Sequence, residues 1–337
     1  MKDTALQSIE LISEQAKQAL SEAAAVEFPD SFREAENIVI AGMGGSMYVF
    51  YVLESLYKTS LTRPLSKLNT YTLPNFVGPK TLFIASSYSG TTEEVIYNLK
   101  EAHKAGAMCV AISNGGELIA IQKEHSAPYY QFEPKHNPSG QPRMGQGYML
   151  FGCASILEKL GYLNSKTDIS VLNEIAGVQD AVSKEARDLA TKLKGAIPVY
   201  VASDHLSGNA HIVRNQTNET AKLFADYNTI PELNHHLMEG LKNPKDKKLA
   251  FVFIDSELYI NRNRERLNLT REVVEKNGAA SHVYTTKTST RIAQFVEVLM
   301  WGGYLTYYMA ADYKENPNAI PWVDYFKEKL GKLQNIR

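Results

Sequence analysis

The chain has 337 residues, with 36 Lys and Arg against 37 Asp and Glu, and a formal net charge of −1. That length buries a good core and suits two domains or subdomains. Balanced charge offers no global field for a nucleic acid or an anionic membrane, so any anion bound here has to be met by local geometry.

The opening segment, MKDTALQSIELISEQAKQAL, is charged throughout and lacks the apolar run of a secretory signal. A cytoplasmic protein is expected. Leu6, Ile9, Ile12, Ala16 and Leu20 recur at helical spacing and predict one helix over 3–25. Asn37–Ala41 reads as a buried parallel strand, followed by a Gly42–Ser46 turn and a helix over Tyr48–Leu56. A strand is expected at Lys67–Thr72, another at Leu82–Ala85, then the loop Ser86–Thr92 and a helix from Glu93. Ala107–Ile112 and Tyr129–Gln131 are further strands. A polar loop, 135–143, precedes a helix from Met144 onward. Cys109 and Cys153 lie in apolar segments and read as small core residues of a reducing compartment, not as a disulfide framework.

The pattern then restarts after a polar boundary at Asn164–Ser170, giving predicted units of 1–165 and 166–337. The second unit has a helix over Val171–Lys194, a strand at Ile197–Ala202, and a helix reaching Phe224. Strands at Leu249–Ile254 and Ser281–Thr285 flank a helix over Arg264–Asn277. A long helix, Arg291–Asp312, and an amphipathic one, Trp322–Leu333, complete the chain. The long helix is near membrane length over Ile292–Ala311 but carries Gln294 and Glu297, so it reads as a core helix. Alternation of this kind predicts α/β architecture with mainly parallel sheets flanked by helices.

Two loops at strand ends suggest a ligand. Ser87, Ser89 and Thr92, with Thr91, place hydroxyls where a strand gives way to a helix start, and free N–H groups and the helix dipole add to them. A single N-cap residue would explain one of these hydroxyls; four exceed what a cap needs. Gly44, Gly45 and Ser46 form a tight turn with exposed amides at the end of the preceding strand. Met47 stands where a dinucleotide motif needs its third glycine, and LNTYTL supplies no acidic residue, so a nicotinamide or flavin is not expected. No G-x-x-x-x-G-K-[ST] occurs either. Ser89 lacks the G-x-S-x-G frame of a nucleophile elbow. The remaining reading is a phosphate-bearing small molecule, with no cofactor.

VIAGMGGSM, SSYSGTTEEV and ISNGGEL resemble the sugar-isomerase (SIS) fold of phosphosugar enzymes. Gln141-Pro142-Arg143 with Gly145 and Gly147-Tyr148, RNQTNETAK (214–222), PELNHH (231–236) and IPWVDYFKEKL (320–330) resemble one branch, the bifunctional phosphoglucose/phosphomannose isomerases. The resemblance runs through both halves. It implies two SIS-type αβα subdomains, a homodimer, and interconversion of glucose 6-phosphate or mannose 6-phosphate with fructose 6-phosphate, without metal. It further implies that Glu219 shuttles the proton and that Arg143 faces the enediolate. His235, reaching in from the neighbouring subunit, and Lys327 are implied to open the sugar ring.

Read without the resemblance, Glu219 is an ordinary helix glutamate, and Lys327 sits with Lys329 and Lys332 on a helix where solvated lysine is expected. His235 and His236 on a helix would diverge by about 100°, which disfavours a metal pair. Two departures from the family pattern stand out. His236 occupies a position where a small polar residue is usual, and Asn316-Pro317-Asn318 replaces Asp-Pro-Thr. The second bears on the sugar pocket and makes mannose activity a weaker implication than glucose activity. Alternatives are another SIS phosphosugar enzyme acting on amino-sugar phosphates, or a non-catalytic sugar-phosphate sensor. Lys2 in place of an N-terminal cysteine nucleophile disfavours the glutamine-dependent synthase. The single helix within 1–36, with no basic face, disfavours a DNA-binding sensor.

Overall fold

Two helices open the chain in the computed structural model, which describes residues 3–331. They are α1 (Thr4–Glu10) and α2 (Ile12–Ala24). The single helix expected over 3–25 breaks at Leu11, and Ser8 explains the break. Its hydroxyl donates back to the Thr4 carbonyl at 2.9 Å. Its own carbonyl accepts from Gln15 Nε2 at 3.2 Å, diverting it from the helix ladder.

The first half then runs β1 (Asn37–Ala41), α3 (Tyr48–Ser55), β2 (Leu65–Leu68), β3 (Thr81–Ser86), α4 (Glu93–Lys104), β4 (Met108–Ser113), α5 (Gly116–Glu124), β5 (Tyr129–Gln131) and α6 (Gln146–Leu160). The second runs α7 (Asn173–Lys192), β6 (Ile197–Ser203), α8 (Ser207–Thr220), β7 (Asp226–Ile230), α9 (Leu237–Gly240), β8 (Leu249–Asp255), α10 (Asn261–Lys276), β9 (Ala280–Thr285), α11 (Arg291–Asp312) and α12 (Pro321–Leu330). The terminal helix expected through Leu333, and Lys332 on it, extend beyond the described residues.

All strand pairs are parallel. The first sheet has the order β2-β1-β3-β4-β5 and the second β7-β6-β8-β9. Both therefore reverse direction beside their first strand, and it is outside the strand carboxyl ends at such a reversal that open α/β sheets bind ligands. Alternation along each strand explains the layering. In β1, Ile38 and Ile40 join a large apolar core with residues of α2, α3 and α6, whereas Val39 and Ala41 join a second cluster with Val95, Leu99 and Leu118 of α4 and α5. The large core continues through Tyr200 and Phe253 of the second sheet, so the two sheets share it.

Two edge strands differ from expectation. β2 lies at Leu65–Leu68, not Lys67–Thr72, because its register is set by pairing Ile38 with Leu65 and Ala41 with Leu68. β7, with the polar sequence DYNTI, went unpredicted; it pairs only with β6 and keeps one edge open, so no apolar run marks it. The helix expected to reach Phe224 stops at Thr220, and Lys222 beyond it takes a left-handed φ of 53°. Both cysteines are buried and unpaired. α11 is almost wholly buried, and its Glu297 carboxylate accepts from Tyr284 Oη, Thr288 Oγ1 and the backbone of Lys287 and Thr288. Among the described residues no helix is long and apolar enough to cross a membrane.

Candidate active site

The reversal point of the first sheet lies between β1 and β3, and both ligand loops sit there. Their hydroxyls lock the loops together. Ser46 Oγ accepts from the Tyr88 backbone at 3.0 Å, and Ser86 Oγ donates to the Ser46 carbonyl at 2.8 Å. Ser87 is fully buried, with its hydroxyl 2.7 Å from Thr92 Oγ1 and accepting from Gly90 N at 3.2 Å. Ser89 is exposed and pairs with Thr91 at 2.8 Å. Because Thr92 turns toward Ser87, its side chain does not cap α4, and the first-turn N–H groups stay available. Gly90 has φ 70°, and a Cβ there would fall 1.8 Å from the Gly115 carbonyl in the loop after β4, so only glycine fits where the two loops touch.

Arg143 borders this cradle. It sits in a 3-10 turn, Pro142–Met144, just ahead of α6. The turn packs against Gly45, whose missing Cβ would lie 3.7 Å from the Arg143 nitrogen. Gln15 of α2 fastens it by donating to the Met144 carbonyl at 2.9 Å and accepting from Gly147 N at 3.1 Å. Only 2 % of Arg143 is exposed. Its guanidinium donates to Thr220 Oγ1 at 3.1 Å, to Gln141 Oε1 at 3.0 Å, to the Asn318 carbonyl at 3.3 Å and, closely, to the Pro317 carbonyl.

Glu219, one residue from the end of α8, places Oε2 3.6 Å from Arg143 Nη1. The carboxyl is about one-third exposed. Burial raises its pKa, while the charges of Arg143, Lys327 and Lys222 oppose that rise. Lys327 on α12 thus acts on the same carboxyl, although its helix buries none of its residues. Lys222, which sequence reasoning passed over, donates to the Thr220 carbonyl at 3.1 Å and to the Asn316 carbonyl. Tyr48, fully buried, also feels the Glu219 charge. Neither Lys222 nor Thr220 carries a sequence signal of its own beyond lying beside Glu219.

His235 is not brought to this site within one chain. It ends the 3-10 turn Glu232–His235 after β7 and is exposed. The carboxyl end of β7 pairs Ile230 with Ser203, next to the start of α8. Glu219 lies at the other end of that helix, about 18 Å along its axis from Ser207. His236 is exposed as well. Ser46 thus ties the Gly44–Ser46 turn to the Ser87–Thr92 loop, Gly45 packs on the Arg143 turn, Arg143 meets Glu219, and Lys327 acts on that carboxyl, whereas His235 stands apart. Among the described residues no group of three or more His, Cys, Asp or Glu is placed to hold a metal ion.

Residues 182–330 match the family described as the bacterial phospho-glucose isomerase C-terminal SIS domain. The bifunctional phosphoglucose/phosphomannose isomerase of Thermoplasma volcanium is 30% identical over 314 residues, covering 90% of this chain and 95% of that one. Its counterpart from Caldicellulosiruptor bescii is 27% identical over 319 residues, covering 90% and 91%. In fold, the chain superposes on the tagatose-6-phosphate ketose/aldose isomerase of Escherichia coli with a TM-score of 0.73 at 15% identity, covering 95% of this chain and 97% of the other. Paired parallel sheets, glycine- and hydroxyl-lined strand ends, and relatedness along nine-tenths of the sequence lead to one conclusion: this chain belongs to the bifunctional phosphoglucose/phosphomannose isomerase family.

Proposed function

We propose that the protein interconverts glucose 6-phosphate and mannose 6-phosphate with fructose 6-phosphate through an enediol, without a metal. The observation that carries the reading is the buried Arg143 guanidinium set 3.6 Å from the Glu219 carboxylate, beside the Gly44–Ser46 and Ser87–Thr92 loops. The loops hold the phosphate through N–H and O–H donors. Phosphate capture fixes C1 and C2 of the open sugar near Glu219.

Glu219 takes the proton from C2 of the aldose. The C–H electron pair becomes the C1–C2 double bond, and the C1 carbonyl pair moves onto oxygen as an enediolate. The proton on O2 passes to the C1 oxygen, Glu219 returns its own proton to C1, and the C2 oxygen is left as the ketone. A fixed cation is worth most where charge develops, and Arg143 is already held in place before the reaction by Thr220, Gln141 and two carbonyls. A carboxyl pKa raised by burial makes Glu219 a stronger base than a solvated glutamate. Lys327, and His235 supplied by a second copy in a homodimer, serve ring opening. The placement of His235 after the carboxyl end of β7, which lies beside the start of α8 while Glu219 lies at the helix's other end, supports a contribution from a partner rather than from the same chain.

The test is turnover of fructose 6-phosphate by purified protein in the presence of a chelator, with product read by a coupled glucose-6-phosphate dehydrogenase. Turnover that survives the chelator and is lost in Glu219→Gln supports the proposal. Loss of activity in EDTA sinks the metal-free mechanism, and near wild-type turnover by Glu219→Gln removes Glu219 as the base.

A further inference from the structure

Among the described residues, α12 buries none of its own, although it is built to pack. Trp322, Tyr325 and Phe326 are 80, 55 and 62 % exposed. At 100° per residue, Tyr325, Lys329, Trp322 and Phe326 share one face, and Val323 and Lys327 border it. Asp324 and Glu328 fall on the far side. Trp322 stands edge-on to Tyr325 at 6.2 Å, and Lys329 lies over the Tyr325 ring at 5.5 Å. A helix of ten residues is marginal in water unless a surface receives its apolar face. A cluster of exposed rings of this size marks such a surface.

Charge and position select what covers it. The face is aromatic at its centre and positive at its border, so it fits a surface that is apolar and acidic. The segment 232–240, which carries His235, has that character. Glu232 and Glu239 are exposed and form no ion pair among the described residues, and Leu237 and Met238 between them are half-buried. The same segment cannot bring His235 to Glu219 of its own chain, whereas Lys327, next to Phe326, acts on Glu219 of its own chain. A partner that delivers His235 to that carboxyl therefore sets its segment 232–240 against α12.

We propose that α12 of one chain docks its aromatic face on segment 232–240 of a second copy, and that a two-fold dimer makes this contact twice. The inference rests on the supply of His235 by a partner, and it adds where the two chains meet. It also gives α12 a reason to stay in place: the partner that brings His235 fixes the helix that carries Lys327. An anionic lipid surface would take the aromatic and lysine side chains too, but it would leave His235, Glu232 and Glu239 without a role.

Sedimentation velocity on the full chain should show a dimer at micromolar concentration. Trp322→Ala/Phe326→Ala should weaken self-association at least about thirtyfold, as the loss of central interface aromatics does. Neither ring is buried within its own chain, so circular dichroism should be unchanged. Lys329→Glu and Glu232→Lys/Glu239→Lys should each weaken association about tenfold by setting like charges together. An equimolar mixture of those two proteins should associate more tightly than either alone. In the mixed dimer one contact is native and the other has its charges exchanged. A wild-type chain that stays monomeric, an aromatic variant that associates normally, or a mixture no tighter than its parts would overturn the proposal. So would binding to phosphatidylserine vesicles that Trp322→Ala/Phe326→Ala abolishes while its self-association is unchanged. Association is read without turnover. A dimer that obeys the charge exchange but leaves fructose 6-phosphate untouched would overturn the isomerase reading and keep this contact. An active enzyme whose association ignores α12 would do the opposite.

Discussion

The phosphate cradle and the Arg143–Glu219 pair adjoin one another, yet they are built from opposite materials. The cradle consists of neutral hydroxyls that satisfy one another, the buried Ser87 with Thr92 and the exposed Ser89 with Thr91, so the outer ones can turn to a ligand at small cost. The pair consists of opposite charges, one of them almost wholly buried and fastened by two side chains and two main-chain carbonyls. In the proposed reaction, adaptable hydroxyls grip a phosphate that is the same in ground and transition state. A guanidinium that cannot turn is suited to charge that exists only in the transition state. The two regions should therefore separate cleanly in kinetics.

The sharpest break falls on Glu219. Glu219→Gln keeps the shape and removes the base, so kcat should fall by about 10²–10⁴-fold. Fructose 6-phosphate should still raise Tm, since the cradle is untouched. Steady-state kinetics and thermal shift on one sample check both halves, and a rise in KM with kcat intact would place Glu219 with the grip instead. Arg143→Lys should come next. Lysine keeps a charge but loses the planar fork that reaches Thr220, Gln141, Pro317 and Asn318 together. A kcat loss of about 10²–10³-fold is expected. A lower Tm should accompany it, because buried acceptors lose their donors. Unchanged Tm with reduced kcat would mean that the anchors matter less than the charge. Ser89→Ala/Thr92→Ala should do the reverse, raising KM by about tenfold to a hundredfold with kcat nearly unchanged.

These two regions were not equally legible. The cradle could be read from sequence because its signal is local: Gly42–Ser46 and Ser87–Thr92 each follow a short apolar strand, and parallel strands set both loops at the carboxyl end of one sheet. The charged pair could not be read that way. Seventy-six positions separate Arg143 from Glu219, and nothing about a glutamate near a helix end predicts a buried guanidinium beside it. Family resemblance gave a role to Glu219 but none to Thr220 or Lys222 of the same RNQTNETAK stretch, and the Pro317 and Asn318 carbonyls were not legible because backbone acceptors have no residue identity to read. The same physics explains the missed β7, whose DYNTI sequence lacks an apolar run, and the break at Leu11, where Ser8 bonds locally in competition with the helix.

Acidity offers a subtler way to sharpen the comparison. Burial raises the Glu219 pKa, and Arg143, Lys327 and Lys222 pull it back down. As the proposed base Glu219 acts as the carboxylate, so kcat/KM should fall as pH drops through its pKa, with that limb lying above the usual carboxylate range. Lys222→Ala removes one cation. The Glu219 pKa then rises further, and the acid limb moves to higher pH. Lys222→Arg, which keeps the charge, should restore the limb, and Ser89→Ala should leave it in place. An acid limb that ignores Lys222 but follows a cradle substitution would reverse the division of labour.

The smallest effect is expected at residues 316–318, where the two materials meet. Asn316 Oδ1 accepts from Asn318 N at 2.9 Å and so holds the turn whose carbonyls anchor Arg143. Asp at 316 can make the same bond, so Asn316→Asp/Asn318→Thr, which restores the family's Asp-Pro-Thr, should leave Arg143 in place and the main rate intact. What changes is the side chain at 318, in the stretch that the family resemblance assigns to the sugar pocket: Asn318 carries a buried Oδ1 with no partner and donates its amide to Thr4 Oγ1 at 3.4 Å, and threonine would replace that amide with a hydroxyl and a methyl. Glucose and mannose 6-phosphates differ only in the orientation of one hydroxyl at C2. A single hydrogen bond gained or lost there should change the ratio of their kcat/KM values by about tenfold, with the fructose 6-phosphate rate nearly constant. Parallel assays of the two aldoses on both proteins measure that ratio. A ratio that does not move would show that 316–318 acts only through Arg143, and that C2 is read from the cradle side.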